Sequence, residues 1–320
     1  MAKRASSSAE KPAPVQHRFT ELIPPKLDFD FVAWRFRMLL FSWGLIAIGL
    51  VSVFFGRGLN LGIDFAGGTM VHVKFAKPAD VTAVRDSLAS PDLHDVVVQD
   101  ADKIGREYLI RAPHGEGNTA AVTDAIKGGL QKAFGEGTFD VLRVESVGPK
   151  VGSELVRDAI LAVVFATIVM GLYIAFRFEL RFGLGAAIAL VHDVLMTIGA
   201  LSLGGFEFDL TTVAALLTVV GYSVHDTVIV SDRIRENMKK MRREDFAHII
   251  NLSINETLSR TLITSGTAII VCLALFLLGG SVIHTFAFSL LVGFIVGTYS
   301  SIFVAAPVVL YFERRSAAKR

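Results

Sequence analysis

Residues 210–231 read LTTVAALLTVVGYSVHDTVIVS, an apolar run that holds one carboxylate, Asp226. A helix needs about 20 residues to cross the roughly 30 Å hydrocarbon core of a bilayer. The run is long enough, and further charged residues begin only after it, at Asp232. We therefore predict that Leu210–Ser231 is a transmembrane helix that carries a carboxylate in its second half.

The same pattern recurs along most of the chain. Hydrophobic residues make up 52% of the sequence and charged residues only 19%, and the mean hydropathy is +0.54. A soluble domain carries about a quarter charged residues. The other stretches of spanning length are Met38–Gly56, Ala159–Phe176, Gly183–Leu203, Thr261–Gly279 and Phe286–Tyr311. Together they predict a polytopic α-helical membrane protein with six transmembrane helices, the last tilted or kinked at Pro307.

Several classes of function are not indicated. A formal net charge of +2 is too small to suggest binding to nucleic acid, and the one cysteine, Cys272, cannot form an intrachain disulfide. The sequence has no phosphate-binding loop, no nucleophile elbow and no histidines at metal-ligand spacing. We predict a protein that is not an enzyme and has no cofactor and no metal site, so that any work must draw on an ion gradient or on a partner.

Lysine and arginine set the predicted orientation, because cytoplasmic loops of membrane proteins are enriched in them. They occur in both tails and in the loops that follow the second and fourth stretches, whereas loops 204–209 and 280–285 contain none. Residues 1–37, which lack the pattern of a signal peptide, and residues 312–320 are therefore predicted to be cytoplasmic tails. Residues 57–158 are predicted to form a periplasmic domain.

The periplasmic segment is predicted to be a small α+β domain. Alternating and helical patterns follow one another in the order strand, helix, strand, strand, helix, strand, which is a ferredoxin-like arrangement. The predicted elements are Thr69–Phe75, Pro78–Ala89, Val96–Gln99, Tyr108–Arg111, Asn118–Phe134 and Phe139–Val147, with Pro78 at the first position of its helix and Asp80 in the first turn.

The cytoplasmic loop at 232–260 is predicted to contain an amphipathic helix. Within Glu244–Ser259, apolar residues recur at helical spacing, at Phe246, Ile249, Ile250 and Ile254. A helix of this kind is typical of a segment that lies on the membrane surface. We expect it to lie on the inner face of the bilayer.

Two carboxylates inside the spans are the strongest candidates for function. A carboxylate at membrane depth is costly unless it is paired, hydrated or protonated. Asp193 falls near the middle of the third span, and Asp226 falls in the inner half of the fourth. Asp226 is interpreted as functional, whereas Asp193 is equally consistent with a structural hydrogen bond. His192 and His225, which precede them, are interpreted as hydrogen-bond partners between helices rather than metal ligands.

Arg260 stands at the inner end of the fifth span and is followed by Thr264 and Thr267. Together with Asp226, these residues would make a hydrated path for protons. Desolvation favours the protonated form of a carboxyl group and a nearby guanidinium favours the ionised form, so small rearrangements would switch its protonation. The alternative for Arg260 is a side chain that anchors the helix at the membrane surface.

The chain resembles the SecD/SecF family in five motifs, which follow one another in the family's order and cover most of the chain. They are LGIDFAGGT at 61–69, VGPKVGSEL at 147–155, VHDV at 191–194, GYSVHDTVIVSDRIREN at 221–237 and SRTLITSGT at 259–267. The family-motif residues include Gly62, Asp64, Gly67, Gly68, Gly221 and Ser223. The signature at 221–237 is similar to that of SecF-type members.

The resemblance implies one half of an RND-type unit that assists protein export. SecF-type members pair with SecD, associate with the SecYEG channel, YajC and YidC, and use the proton-motive force to promote late steps of preprotein translocation after SecA has used ATP. In the family, the aspartate of the fourth span and the arginine of the fifth belong to the proton path. They correspond to Asp226 and Arg260. Membrane lipid and preproteins are the other expected partners.

One departure from the family pattern concerns the residue before Asp226. Members usually have asparagine where this chain has His225, a titratable neighbour that affects the pH of coupling. Relatives are thought to use either protons or sodium, and the sequence leaves that choice open. The rival functions are an RND-type exporter of small molecules, against which the small outer domain argues, and a passive scaffold of the translocon.

Overall fold

The structure is a computed structural model, and it describes residues 28–90, 93, 96–101, 104–112 and 119–317. In chain order its elements are α1 (Phe31–Phe55), β1 (Asn60–Leu61), α2 (Ile63–Ala66), β2 (Gly68–Phe75), α3 (Val81–Ser87), β3 (Val97–Asp100), β4 (Glu107–Ala112), α4 (Thr119–Phe134), β5 (Phe139–Val147), α5 (Pro149–Arg177), α6 (Leu180–Gly204), β6 (Glu207–Phe208), α7 (Leu210–Lys240), α8 (Phe246–Leu278), α9 (Gly280–Ser300) and α10 (Ala306–Ala317). A π-helical turn, Ser301–Ala305, joins the last two helices.

The six predicted spans are confirmed among the described residues. They are α1, α5, α6, α7, α8 and the continuous helix from α9 through α10, each long and apolar enough to cross a membrane. In α6, α7 and the last span, 56% of the most apolar window is buried, against 22% in α1 and 17% in both α5 and α8. Helices α6 and α7 and the last span therefore form the centre of the bundle, and α1, α5 and α8 pack around them.

The domain between the first and second spans, which we call the outer domain after its predicted location, has the predicted ferredoxin-like topology. Within its described residues, four strands lie in the order β3-β4-β2-β5 and all neighbouring pairs are antiparallel. The core lies between the sheet and the helices α3 and α4, and includes Val71, Ile110, Ile126 and Leu130. The first helix of the domain starts at Val81, later than predicted, because Asp80 caps it by accepting a hydrogen bond from the Thr82 amide at 3.1 Å. The predicted start of the second helix, Asn118, lies outside the described residues.

The predicted surface helix between the fourth and fifth spans is wrong in its placement. Helix α7 continues to Lys240, and α8 runs without a break from Phe246 to Leu278. Ile249, Ile250 and Ile254 are 4%, 1% and 1% exposed, and they belong to the same core as Ile234. The apolar stripe is present as predicted, but it packs against protein rather than against lipid. Helix α7 extends beyond the predicted span and covers it.

The first helix begins at Phe31, earlier than the predicted end of the N-terminal tail at residue 37. Asp30 caps the helix by accepting from the Ala33 amide at 2.9 Å. Asn251 of α8 also accepts from the Phe31 amide at 2.8 Å, so a distant helix satisfies a donor that the helix start leaves free. The second span likewise begins at Pro149 rather than Ala159, because both helices extend beyond their apolar segments.

The irregularity predicted in the last span takes the form of the π-helical turn Ser301–Ala305, which ends two residues before Pro307. Proline lacks the amide hydrogen that an α-helix needs and its ring crowds the preceding turn. A wider turn relieves this conflict, and such π-turns are frequent at functional sites. Here the turn follows directly after Ser300, which contacts one of the two buried carboxylates.

Candidate functional site

Asp226 lies in the centre of the bundle and is 0% exposed. Its Oδ2 atom accepts hydrogen bonds from Ser265 Oγ of α8 at 3.0 Å and from Thr298 Oγ1 of α9 at 3.2 Å. Its Oδ1 atom has no hydrogen-bond partner within the part of the chain that the structure describes. The carboxylate is thus held by two helices through one oxygen, and its other oxygen is unpaired within the described residues.

Asp193 of α6 is also 0% exposed, but both of its oxygens have partners. Oδ2 accepts from Ser223 Oγ of α7 at 2.5 Å and from Ser300 Oγ of α9 at 2.8 Å. Oδ1 lies 2.8 Å from Nδ1 of the adjacent His192. Asp193 therefore ties the three central spans together.

His192 extends this network to the first span. Its Nε2 atom is hydrogen-bonded to Ser42 Oγ of α1, and its ring stacks on Tyr299 with the ring centroids 6.2 Å apart. The Tyr299 hydroxyl donates to the backbone oxygen of Met38 in α1 at 2.7 Å. The predicted role of His192 as a hydrogen-bond partner between helices is confirmed.

The two carboxylates belong to one polar layer across the bundle. Ser223 lies one helical turn before Asp226 yet donates to Asp193, and the neighbouring Thr298 and Ser300 serve one carboxylate each. Two more buried oxygens, Tyr222 Oη and Thr261 Oγ1, have no hydrogen-bond partner within the described ranges. Buried polar groups without partners cost about 1–3 kcal/mol each. The layer is therefore polar, buried and, within the described residues, incompletely paired.

The structure does not bring Arg260, Thr264 and Thr267 to Asp226. Arg260 and Thr267 are exposed, and the two threonine hydroxyls donate to backbone oxygens of their own helix. At about 100° per residue, Arg260 and Thr267 lie roughly 100° or more from the line of Thr261 and Ser265 that faces the bundle. Within this chain, Arg260, Thr264 and Thr267 therefore lie on a different face of α8 from the one that contacts Asp226, and their part in a proton path stays a prediction.

His225 and Gly221 also point away from the bundle. Both are exposed, and a Cβ atom built at Gly221 would meet no heavy atom within 4 Å in the described part of the chain. The exposed stripe of α7 comprises Thr211, Ala214, Thr218, Gly221 and His225. We call these residues the outer stripe of α7. Its small and polar side chains differ from the leucine, isoleucine and phenylalanine on the exposed face of α5.

The family-motif residues after the first span form a joint between the outer domain and the membrane helices. Strand β1 pairs in parallel with β6, and Asp64 Oδ2 accepts from the Leu210 amide, the first residue of α7, at 3.0 Å. A Cβ atom at Gly62 would lie 2.6 Å from Glu207 Oε1, so a larger residue here would displace the Glu207 carboxylate. Gly67 (φ +74°) and Gly68 (φ +136°) have backbone angles that favour glycine, and they lead into β2.

Ser42, Ser265, Thr298 and Ser300 are site residues that the sequence reasoning missed. Hydroxyl residues are common in membrane helices, and most of them only bond to their own backbone, so their identity carries little signal. For Thr298 and Ser300, the available signal is Pro307. It predicts an irregularity in the last span, and such irregularities frequently lie at functional sites. In the described residues, no group of three or more histidine, cysteine, aspartate or glutamate side chains is arranged to hold a metal ion.

Two family models match the chain. Residues 127–315 match the model described as protein export membrane protein SecD/SecF, C-terminal, and residues 52–79 match the SecD/SecF GG motif. The first covers the second to sixth spans. The second covers the joint that contains Gly62, Asp64, Gly67 and Gly68.

Curated relatives are similar over nearly their whole length. The protein translocase subunit SecF of Magnetococcus marinus is 51% identical over 294 residues, which cover 91% of this chain and 94% of the relative. The protein of the same name from Vibrio alginolyticus is 43% identical over 291 residues, 91% of each chain.

A solved structure shares the fold. The crystal structure of SecDF, a translocon-associated membrane protein from Thermus thermophilus, superposes with a TM-score of 0.78 at 38% identity. The match covers 91% of this chain and 39% of the SecDF chain, so this chain spans about two fifths of that protein.

Proposed function

Because this chain belongs to the SecD/SecF family of protein export membrane proteins, we propose that it is the SecF-type subunit of a bacterial protein translocase. It works with a SecD-type protein in the inner membrane and uses the proton-motive force to promote late steps of preprotein export. Its relatives named protein translocase subunit SecF support the first part of this proposal. The geometry around Asp226 supports the second.

The observation that carries the proposal is the buried Asp226 with one oxygen bonded by Ser265 and Thr298 and the other, Oδ1, without a partner in the described residues. A carboxylate held in this way inside a membrane bundle is expensive unless it has a functional role. Protonation at Oδ1 would remove the charge and weaken the bonds that draw α8 and α9 towards α7. Uptake and release of a proton would therefore change how these helices pack.

Asp193 is the second carboxylate of this path. Ser223 lies three residues before Asp226 on α7 and donates to Asp193 at 2.5 Å, so α7 carries one carboxylate and bonds the other. His192 and Ser42 continue the polar contacts to the first span. A proton that leaves Asp226 would thus find further hydrogen-bonding groups within the layer.

The outer stripe of α7 supports assembly with a second membrane subunit. Polar and ionisable groups such as His225 are unfavourable in contact with lipid, and small residues allow close approach of another helix. Arg260 is exposed at the cytoplasmic end of the bundle, where it lines a cleft of about 530 Å³ with Asp232 and Glu256. A SecD-type protein that covers α7 would complete the path and give Arg260 and His225 their partners.

The wider assembly and the orientation belong to the same proposal. SecYEG, YajC and YidC are the further partners that the family resemblance implies, and preproteins are the substrate. Both termini face the cytoplasm, as the distribution of lysine and arginine predicts. The outer domain, β2 to β5, is then in the periplasm.

The test is export of a model preprotein into vesicles that contain this chain with its SecD-type partner, measured with and without a proton gradient. We expect Asp226→Asn, which keeps volume and hydrogen bonding but cannot titrate, to insert and assemble normally while the gradient no longer stimulates export. Asp226→Glu should retain part of the response, since it titrates from a similar reference value. Glu244→Gln, in the exposed loop between α7 and α8, is the control.

Three results would contradict the proposal. If Asp226→Asn vesicles respond to the gradient as the unmodified protein does, the carboxylate is structural. If a sodium gradient stimulates export and a proton gradient does not, the coupling ion is sodium. Absence of any gradient response in the unmodified protein would favour a passive scaffold.

A further inference from the structure

An ion pair joins the body of the outer sheet to the membrane domain. Arg111, in the middle of the sheet on β4, contacts the carboxylate of Glu207 on β6, the short strand between α6 and α7. Each side chain is 15% exposed. Arg111 is held in place by its hydrogen bond to Gln99 Oε1 on β3, at 3.0 Å. The pair lines a cleft of about 850 Å³ between the two domains.

The contact lies directly before the helix that carries Asp226. Glu207 is two residues before Asp209, whose side chain caps α7 by accepting from the Thr212 amide at 2.8 Å. Asp226 follows about 24 Å further along the helix, at 1.5 Å per residue. Helix α7 is continuous from Leu210 past Asp226. The Arg111–Glu207 pair therefore holds the outer sheet against the outer end of the helix that carries Asp226.

The charges around Glu207 are unbalanced. Asp64, from the joint after the first span, and Asp209 both act electrostatically on Glu207 and oppose its ionisation, and Arg111 favours it. On the membrane side, the Arg57 guanidinium lies close to Gly205, and Asp100 of β3 and His284 of α9 line the same cleft. The carboxyl groups of Asp64, Glu207 and Asp209 therefore act on one another at a largely buried contact. The Arg111 guanidinium is the positive charge that contacts Glu207 there.

We propose that Arg111 and Glu207 form a proton-responsive latch that holds the outer sheet against the outer end of the fourth span. When Glu207 is protonated, docking buries one negative charge fewer beside Asp64 and Asp209, and the sheet stays docked. When Glu207 is ionised, docking has to bury a carboxylate beside two others, and Arg111 alone opposes the separation. Under the proposed function, the outer face is the acidic side of the gradient, so an energised membrane favours the docked state.

The titration of Glu207 supports the direction of this switch. Burial raises the pKa of Glu207, and this effect is larger than the opposing effect of the Arg111 charge. Asp209 and Asp64 raise the pKa further, and the resulting pKa is about 7. In an undocked domain the carboxyl group would titrate near its ordinary value of 4.5. A group that binds protons more tightly in one state stabilises that state at low pH. Docking is therefore most stable below about pH 4.5 and becomes weaker as the pH rises through about 7.

The test measures the distance between the two domains in the complete complex reconstituted in lipid. Spin labels are placed at Leu142 on β5 and Leu203 at the end of α6, which are 51% and 50% exposed, with Cys272→Ser removing the one native cysteine of this chain. We expect a narrow distance distribution at pH 6 and a broader one with a second, longer component at pH 8.5.

Three variants separate the latch from a merely structural contact. Arg111→Gln leaves an unpaired carboxylate, so the longer component should increase at pH 8.5 and stay near that of the unmodified protein at pH 6. Glu207→Gln should stay docked at both pH values. The double variant should also stay docked, because removing the carboxylate cancels the effect of removing the guanidinium. Lys74→Gln, which breaks the more exposed pair with Glu107 on the same sheet, is the control.

Two outcomes would overturn the proposal. A distance distribution in the unmodified protein that is the same at both pH values excludes a proton-responsive latch. Opening of Arg111→Gln to the same extent at pH 6 and pH 8.5, without rescue by Glu207→Gln, would make the arginine a simple packing residue. The distances are measured without export, so this result is independent of whether a proton gradient drives translocation.

Discussion

Asp193 and Asp226 are both fully buried, but their surroundings differ in a way that matters for substitution. Asp193 uses both oxygens and receives hydrogen bonds from α7 and α9, and its neighbour His192 reaches α1. Within the described residues, Asp226 accepts hydrogen bonds through one oxygen only, Oδ2. Asp193 is therefore the stronger structural tie, and Asp226 is freer to change its charge.

We expect Asp193→Asn to destabilise the membrane domain more than Asp226→Asn does. The amide oxygen of asparagine can still accept from Ser223 and Ser300, but its NH2 group then faces His192 Nδ1, which loses the oxygen that accepts from it, at about 1–3 kcal/mol. The measurement is thermal unfolding of the two variants in the same detergent. Equal melting temperatures for the two variants would show that the network around Asp193 adds no stability.

At the scale of the helices, glycine pairs decide how closely the spans approach. The first and third spans cross where a Cβ atom built on Gly199 would lie 2.9 Å from the Gly49 Cα atom. The same crossing brings Ser52 and Ser202 into a hydrogen bond of 2.8 Å. It also positions Ser42 to reach His192, so the polar layer depends on this contact.

Gly199→Leu should push α1 away from α6 and loosen the contact between Ser42 and His192. We expect a marked loss of thermal stability, because a side chain larger than glycine cannot be accommodated against backbone. Gly44→Leu is the matched control, since a Cβ atom at Gly44 would meet nothing within 4 Å in the described structure. If both variants melt at the same temperature, the close crossing of α1 and α6 is not what stabilises the bundle.

At the scale of the whole molecule, the outer stripe of α7 predicts that the chain is half of a larger unit. A Cβ atom built at Gly221 meets no heavy atom within 4 Å in the described chain, so we expect Gly221→Leu to leave folding unaffected. The added side chain would instead block the approach of a helix from the SecD-type partner. We expect the variant to be inserted in normal amounts but to lose co-purification with SecD in mild detergent.

The control for this experiment is Gly266→Leu on α8, which lies outside the outer stripe and where a built Cβ atom also meets no heavy atom within 4 Å in the described chain. It should co-purify with SecD as the unmodified chain does. Co-purification of Gly221→Leu at the same level would mean that the partner binds another face.

The orientation in the membrane is also testable on the whole chain. Reporter fusions at Gly115 and Gly205 should be active on the outer side, and fusions at Lys240 and Ala318 should be active in the cytoplasm. The reason is the concentration of lysine and arginine in the loops and tails assigned to the cytoplasm. A cytoplasmic signal at Gly115 would be incompatible with the proposed function, because the latch and the outer domain would then face the wrong compartment.

The sequence alone determined the features that depend on local composition. Six apolar stretches predict six spans because the bilayer demands a fixed length of apolar helix. Alternating and helical patterns in the outer segment predict its strand and helix order because side chains repeat with period 2 or 3.6. Asp226 and Asp193 stand out because a carboxylate is rare within such stretches.

Only the tertiary structure decided which side chains meet. Ser265, rather than Thr264 or Thr267, faces Asp226, because a helix turns through about 100° per residue and its rotation in the bundle is set by packing against its neighbours. The amphipathic stretch at 246–254 packs on Ile234 instead of on lipid, because α7 extends far enough to cover it. Arg111 and Glu207 meet across two domains that are distant in sequence, and no local pattern records such a contact.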